Sequence, residues 1–173
     1  FPSVDTGVCA TSVRRFNETF QTLFRQTPAS LRRTNGATRQ TPEALSIRLP
    51  YQPPYDWDGM LEYFSTRLIP GVEITTNGRY ARTISLGDQT GTVVVEPGDG
   101  HTLRATIRFS RLAALPQIIA RLRRTFDLGA NPELINAHLA EDPFLAPPVA
   151  SRPGLRVPGT WDHFELAVRA ILG

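Results

Sequence analysis

Apolar residues recur along this chain at two spacings, and the switches between them divide it. Val13, Phe16, Phe20 and Leu23 follow a helical spacing widened by Phe24, with Thr11 or Ser12 placed to cap the start. Thr27-Pro28 ends that helix, residues 29–33 can begin another, and residues 34–41 (TNGATRQT) are polar and aperiodic, as a linker is. Residues 44–49 alternate weakly and predict a first strand, bounded by Pro50 and Pro53-Pro54, which interrupt sheet pairing. Residues 57–69 return to helical spacing, with Met60, Leu61, Phe64 and Leu68 on one side, and Pro70-Gly71 stops them.

A period of two then takes over. Asn77-Gly78, between EITT and RYARTISL, predicts a type I′ hairpin, because both central residues of that turn need positive φ. Glycine-bearing turns at 87–91 and 98–100 divide residues 72–109 into four strands. The last strand is the clearest: Leu103, Ala105, Ile107 and Phe109 share one face, and Arg104, Thr106 and Arg108 the other. A one-sided sheet must bury its apolar face, and residues 112–128 offer the matching helical stripe of Leu115, Ile118, Ile119, Leu122 and Phe126. The order is β-α-β-β-β-β-α, an α+β architecture with helical segments flanking it. Asn131-Pro132 begins a short helix through about residue 139, followed by a proline-rich connector (DPFLAPPVASRPG). Residues 160–172 form a last helix, with Thr160 at the N-cap and Asp162 in the first turn. Its stripe of Phe164, Ala167, Val168 and Ile171 has no partner later in the sequence, so it is expected to pack on protein outside the chain.

Composition narrows the class. With 40% apolar residues, mixed charge and no apolar run near the ~20 residues that span a bilayer, a globular, non-membrane protein is expected. The 19 basic residues are all arginine and the net charge is only +3, so local clusters at Arg14/Arg15, Arg32/Arg33 and Arg121/Arg123/Arg124 matter more than the total. A single cysteine, Cys9, excludes an intrachain disulfide and a multi-cysteine zinc site, which fits a cytoplasmic location. Phe1 in place of Met suggests that the true start has been lost. His101, His138 and His163 are too dispersed for a metal motif, and no metal or cofactor is expected. Asp56 and Asp58 fit a helix cap better than an acid-base pair. Cys9 lacks an activating pattern, and Gly98-Asp99-Gly100 lacks the lysine of a phosphate loop. The Arg121–Arg124 run fits a solvated helix face better than a DNA contact.

Three separated segments carry a resemblance. YQPPYDW at 51–57, Phe126-Asp127-Leu128 with Asn131-Pro132, and RPGLRVPG with VRAILG are similar, in order and spacing, to the amino-terminal domain of the 3-methyladenine DNA glycosylase II (AlkA) family. That resemblance implies a fold like one half of TATA-binding protein over residues 44–130, with 131–173 as connector and first helix of a helix-hairpin-helix glycosylase domain. It also implies a function in excising alkylated bases, which must be flipped from duplex DNA to be reached. The family's catalytic aspartate and DNA-gripping motif lie beyond the position equivalent to Gly173, so no catalytic residue is expected in this chain. One pocket residue has a match: Tyr63 stands where the family's first helix supplies an aromatic ring, typically Phe, to the base pocket. Core packing is the competing role for Tyr63.

Residues 8–33 resemble the end of an AraC-type helix-turn-helix, with a linker at 34–43. Such a helix enters the major groove by its amino-terminal part, where arginine bridges guanine O6 and N7, so the resemblance implies DNA contacts for Arg14 and Arg15, with Asn17 and Glu18 beside them. The chain departs from that pattern at Arg25, where Gly is usual, and the first half of the domain is absent. The fusion order resembles proteins joining Ada-type regulation to AlkA-type repair, although nothing in this chain shows the cysteine-rich domain that usually precedes it. Double-stranded DNA is the implied partner and a monomer the implied full-length state. A transcription regulator with a non-catalytic sheet domain is the alternative.

Overall fold

In the computed structural model, which describes residues 44–172, Asn77 and Gly78 have φ angles of 49° and 72°, the pair of positive values a type I′ turn requires. The turn joins β2 (Glu73–Thr76) to β3 (Arg79–Leu86). β4 (Gln89–Pro97) and β5 (Thr102–Phe109) complete the meander, and β1 (Leu45–Pro50) pairs with β5. The five strands are antiparallel in the order β1-β5-β4-β3-β2, so the expected α+β arrangement is present.

Alternation along each strand separates two faces. Ile47, Leu49, Tyr80, Ile84, Val93, Val95, Leu103, Ala105, Ile107 and Phe109 are buried on the inner face. Two helices cover it. α1 (Trp57–Ser65) inserts Met60 and Phe64, and α2 (Leu115–Thr125), entered through a 3-10 turn at Leu112–Ala114, inserts Leu115, Ile118 and Leu122. Phe64, Tyr80 and Phe126 meet at the centre with ring centroids 4.8–5.6 Å apart, the tilted and edge-on contacts that aromatic quadrupoles favour. Ile119, expected in the buried stripe, is only half-buried.

Helix ends differ from the sequence expectation for identifiable reasons. α1 stops at Ser65 instead of residue 69, because the Ser65 and Thr66 hydroxyls donate to the Glu62 and Tyr63 carbonyls at 2.8 and 3.0 Å. α3 (Pro132–Leu139) starts as expected, with the Asn131 side chain accepting from the Leu134 amide at 3.2 Å. The proline-rich connector contains a helical turn, α4 (Ala146–Ser151), whose prolines occupy its first turn where no amide donor is needed. α5 (His163–Leu172) begins later than expected, and its cap is Asp162 instead of Thr160: Asp162 Oδ1 accepts from the Phe164 and Glu165 amides at 2.9 and 3.3 Å. These bonds hold the Asp162 carboxyl below its usual pKa.

Candidate functional site

The three segments distant in sequence form one knot at the start of α1. Asp56 caps this helix, its Oδ1 accepting from the Gly59 amide at 2.8 Å, while Oδ2 accepts from Arg152 Nη2 at 2.6 Å. The Gly59 bond and then Arg152 hold the Asp56 carboxyl below its ordinary range. The Asp56 amide donates to the Gly154 carbonyl at 2.8 Å, and a Cβ at Gly154 would stand 2.7 Å from that amide nitrogen, so only glycine fits without displacement. Arg156 is buried with its guanidinium 5.0 Å from the Tyr55 ring centroid. It donates to the carbonyls of Pro54 at 2.9 Å, Ala130 at 3.1 Å and Asp127 at 3.4 Å, and to that of Gln52. Tyr55 donates to the Phe126 carbonyl at 2.7 Å, and burial pushes its hydroxyl pKa upward against the pull of Arg156.

Braced at its start, α1 presents Tyr63 on its outer side. The ring is 38% exposed, so the residue lies outside the core, and the Arg67 guanidinium sits 4.2 Å above its centroid. Arg67 is in turn tied to the last helix, its carbonyl accepting from Arg169 Nη1 at 2.8 Å. The platform and α5 are thus fixed to one another.

A buried charge network anchors α5. Glu73 and Arg82, directly opposed on β2 and β3, pair at 3.2 Å with side chains 3% and 4% exposed. Arg82 also reaches Glu165 at 2.8 Å, and Arg169 reaches Glu73 at 2.6 Å and Glu165 at 3.0 Å. Tyr80 donates to Glu73 at 2.7 Å. Burial alone would raise the Glu73 pKa, but the Tyr80 and Arg169 hydrogen bonds and the Arg169 and Arg82 charges outweigh it and lower it. Burial raises that of Tyr80. Arg82 and Arg121 flank the Trp161 ring at 5.2 and 5.3 Å, beside an open cleft of about 740 Å³.

Arg14, Arg15, Asn17 and Glu18 lie outside the described residues. Arg121, Arg123 and Arg124 do not form a free solvated face: Arg123 donates to Pro50 and Leu128 carbonyls, Arg124 to that of Trp161, and Arg121 stacks on the Trp161 ring. Among the described residues no group of three His, Cys, Asp or Glu could hold a metal ion. Sequence pattern alone assigns no role to Arg152, Arg156, Arg67 or the Glu73-Arg82 pair. A signal for the last was available, since an Asn-Gly turn at 77–78 sets residues 73 and 82 opposite one another.

An antiparallel sheet with one face covered by two helices, the first of them braced at its start, defines an α+β domain. The family profile described as AlkA N-terminal domain matches residues 46–162, and the chain belongs to that family. The chain is 35% identical over 165 residues to the "Probable bifunctional transcriptional activator/DNA repair enzyme AlkA" of Mycobacterium tuberculosis, an alignment covering 93% of this chain and 33% of that protein. It is 39% identical over 126 residues to the DNA-3-methyladenine glycosylase 2 of Escherichia coli K12, covering 72% and 43% respectively. A solved 3-methyladenine DNA-glycosylase from Archaeoglobus fulgidus shares the fold, with TM-score 0.57 at 17% identity over 68% of this chain and 40% of that one. The chain therefore spans less than half the length of these relatives.

Proposed function

We propose that this chain serves repair of alkylated DNA as the accessory, non-catalytic part of a base-excising DNA-3-methyladenine glycosylase. The observation that carries this is the knot: the residues matching the family's motifs are those that brace α1, and α1 carries Tyr63. An exposed ring on a rigid helix is suited to stack on a flipped, electron-poor alkylated base. In this reading residues 1–33 are a sequence-specific DNA-binding remnant using Arg14, Arg15, Asn17 and Glu18, and 34–43 is a linker. Residues 44–130 are the sheet domain, and 131–173 lead into the catalytic domain. The substrate is duplex DNA bearing alkylated bases, and the longer glycosylase works as a monomer in the cytoplasm.

Incubated with methylated duplex, the 173-residue chain is expected to release no free base, because the family resemblance assigns the catalytic aspartate to none of these residues. Release above a heat-inactivated control would overturn the accessory role. One observation favours a regulatory activity alongside it: the match to the relative named as a transcriptional activator and repair enzyme extends over 93% of the chain. Replacing Arg14 and Arg15 with Ala should then abolish sequence-selective binding to DNA at low salt; retained selectivity would remove residues 1–33 from that role.

A further inference from the structure

Among the described residues no helix packs on the outer face of the sheet, and the charge of that face is unbalanced. Arg48, Arg79, Arg104 and Arg108 are all exposed there, alternating with buried inner-face neighbours. Arg48 and Arg104 are direct partners across β1 and β5, a like-charge opposition that disfavours the sheet unless something anionic offsets it. Among the described residues the carboxylates beside them are too few. Glu96, opposite Arg104, is shared by Arg104 at 2.8 Å and by Arg79. Arg48 has, among the described residues, only Asp99, at 3.0 Å, in a pair whose side chains are 66% and 83% exposed and which therefore holds little energy. Arg108 lies four residues along the same face from Arg104, roughly 13 Å at the rise of a strand, with no carboxylate within ion-pair distance among the described residues. Between the charges run Ser46, Thr83, Thr92 and Thr106, small hydroxyl side chains that leave the guanidinium groups accessible and can donate to anionic oxygens.

We propose that this face is a second nucleic-acid surface, binding the phosphodiester backbone of duplex DNA without reading sequence. Its arginines span a patch wide enough for more than one phosphate, and guanidinium suits the bidentate geometry phosphate offers. The proposal goes beyond a role in alkylation repair, since it needs neither a damaged base nor Tyr63.

The test measures binding of the chain carrying Arg14→Ala and Arg15→Ala to an undamaged, fluorescein-labelled duplex across a salt series. The further triple change Arg48→Gln, Arg104→Gln and Arg108→Gln is expected to weaken binding about tenfold or more at low salt. It should make the log–log salt slope shallower by about two to three, close to one for each phosphate that is no longer neutralised. Glu96→Gln, which releases Arg79 and Arg104, should instead tighten binding several-fold. An unchanged affinity and slope in the triple variant would overturn the proposal, as would binding of a polyglutamate probe in preference to the duplex. Phenylglyoxal labelling of the unaltered protein gives a readout that no variant's folding can confound. Duplex should protect Arg48, Arg104 and Arg108 as read by mass spectrometry, and equal labelling with and without DNA would also overturn it.

Discussion

Arg156 is 6% exposed, and its hydrogen-bond acceptors among the described residues are main-chain carbonyls drawn from two distant stretches, 52–54 and 127–130. One side chain therefore ties two distant stretches of main chain together. Arg156→Met should destabilise the domain by roughly 3 kcal/mol, seen as a fall in the urea midpoint, because both the bonds and the guanidinium stacked on Tyr55 are removed. Arg156→Lys should not restore it, since an ammonium cannot span the same fork of acceptors. A midpoint within error of the unaltered protein would show that the knot holds without its pin. Tyr63→Ala should behave oppositely and leave the midpoint almost unmoved, within about 0.5 kcal/mol, because the ring is exposed. The role of Arg156 was illegible in the sequence for a physical reason: backbone acceptors carry no side-chain signature. Tyr63 had a signature only through resemblance.

At the scale of elements, the strands and the sides of the helices were readable and the helix ends were less so. The alternation at Leu103, Ala105, Ile107 and Phe109 and the positive-φ turn at Asn77-Gly78 fix the meander locally, and both are present. The end of α1 and the start of α5 depend on competition between hydroxyl or carboxylate bonds and the helix ladder, which spacing alone does not decide. α5 also docks contrary to its amphipathic pattern. Its polar residues Glu165 and Arg169 face the sheet, while Phe164 and Ile171 of the apolar stripe are 78% and 82% exposed. Its protection against hydrogen exchange should therefore depend on ion pairs. Arg169→Ala is expected to collapse protection across α5 while β3 and β4 amides keep theirs, because the sheet core is formed without it. Unaltered α5 protection in that variant would mean that interactions other than the network hold the helix.

For the whole molecule, carboxylates held below their ordinary pKa tie stability to pH. Glu73 and Asp56 bind protons less readily folded than at their unperturbed values of 4.5 and 3.8. Their contribution is complete above those values and is lost as pH falls through the lower folded values, since the unfolded chain then takes up more protons. The urea midpoint is expected to hold steady down to about pH 5 and then fall steeply. Glu73→Gln should lower the plateau and flatten part of the fall. A midpoint independent of pH between about 5 and 2 would show that the network makes no pH-linked contribution.

The knot also imposes an order in time. Arg152 is 96 residues from Asp56, and Arg156 is 104 residues from Gln52. At a synthesis rate of roughly 5–20 residues per second, α1 leaves the ribosome many seconds before its braces exist. Within that interval β3 follows after about 20 residues and α2 after about 50, so Met60 and Phe64 gain their covering elements before the braces at Arg152 and Arg156 are made. The start of the sheet domain's amino-terminal helix is thus among its last parts to be secured: the apolar side can be covered while the capping end still waits for its pins.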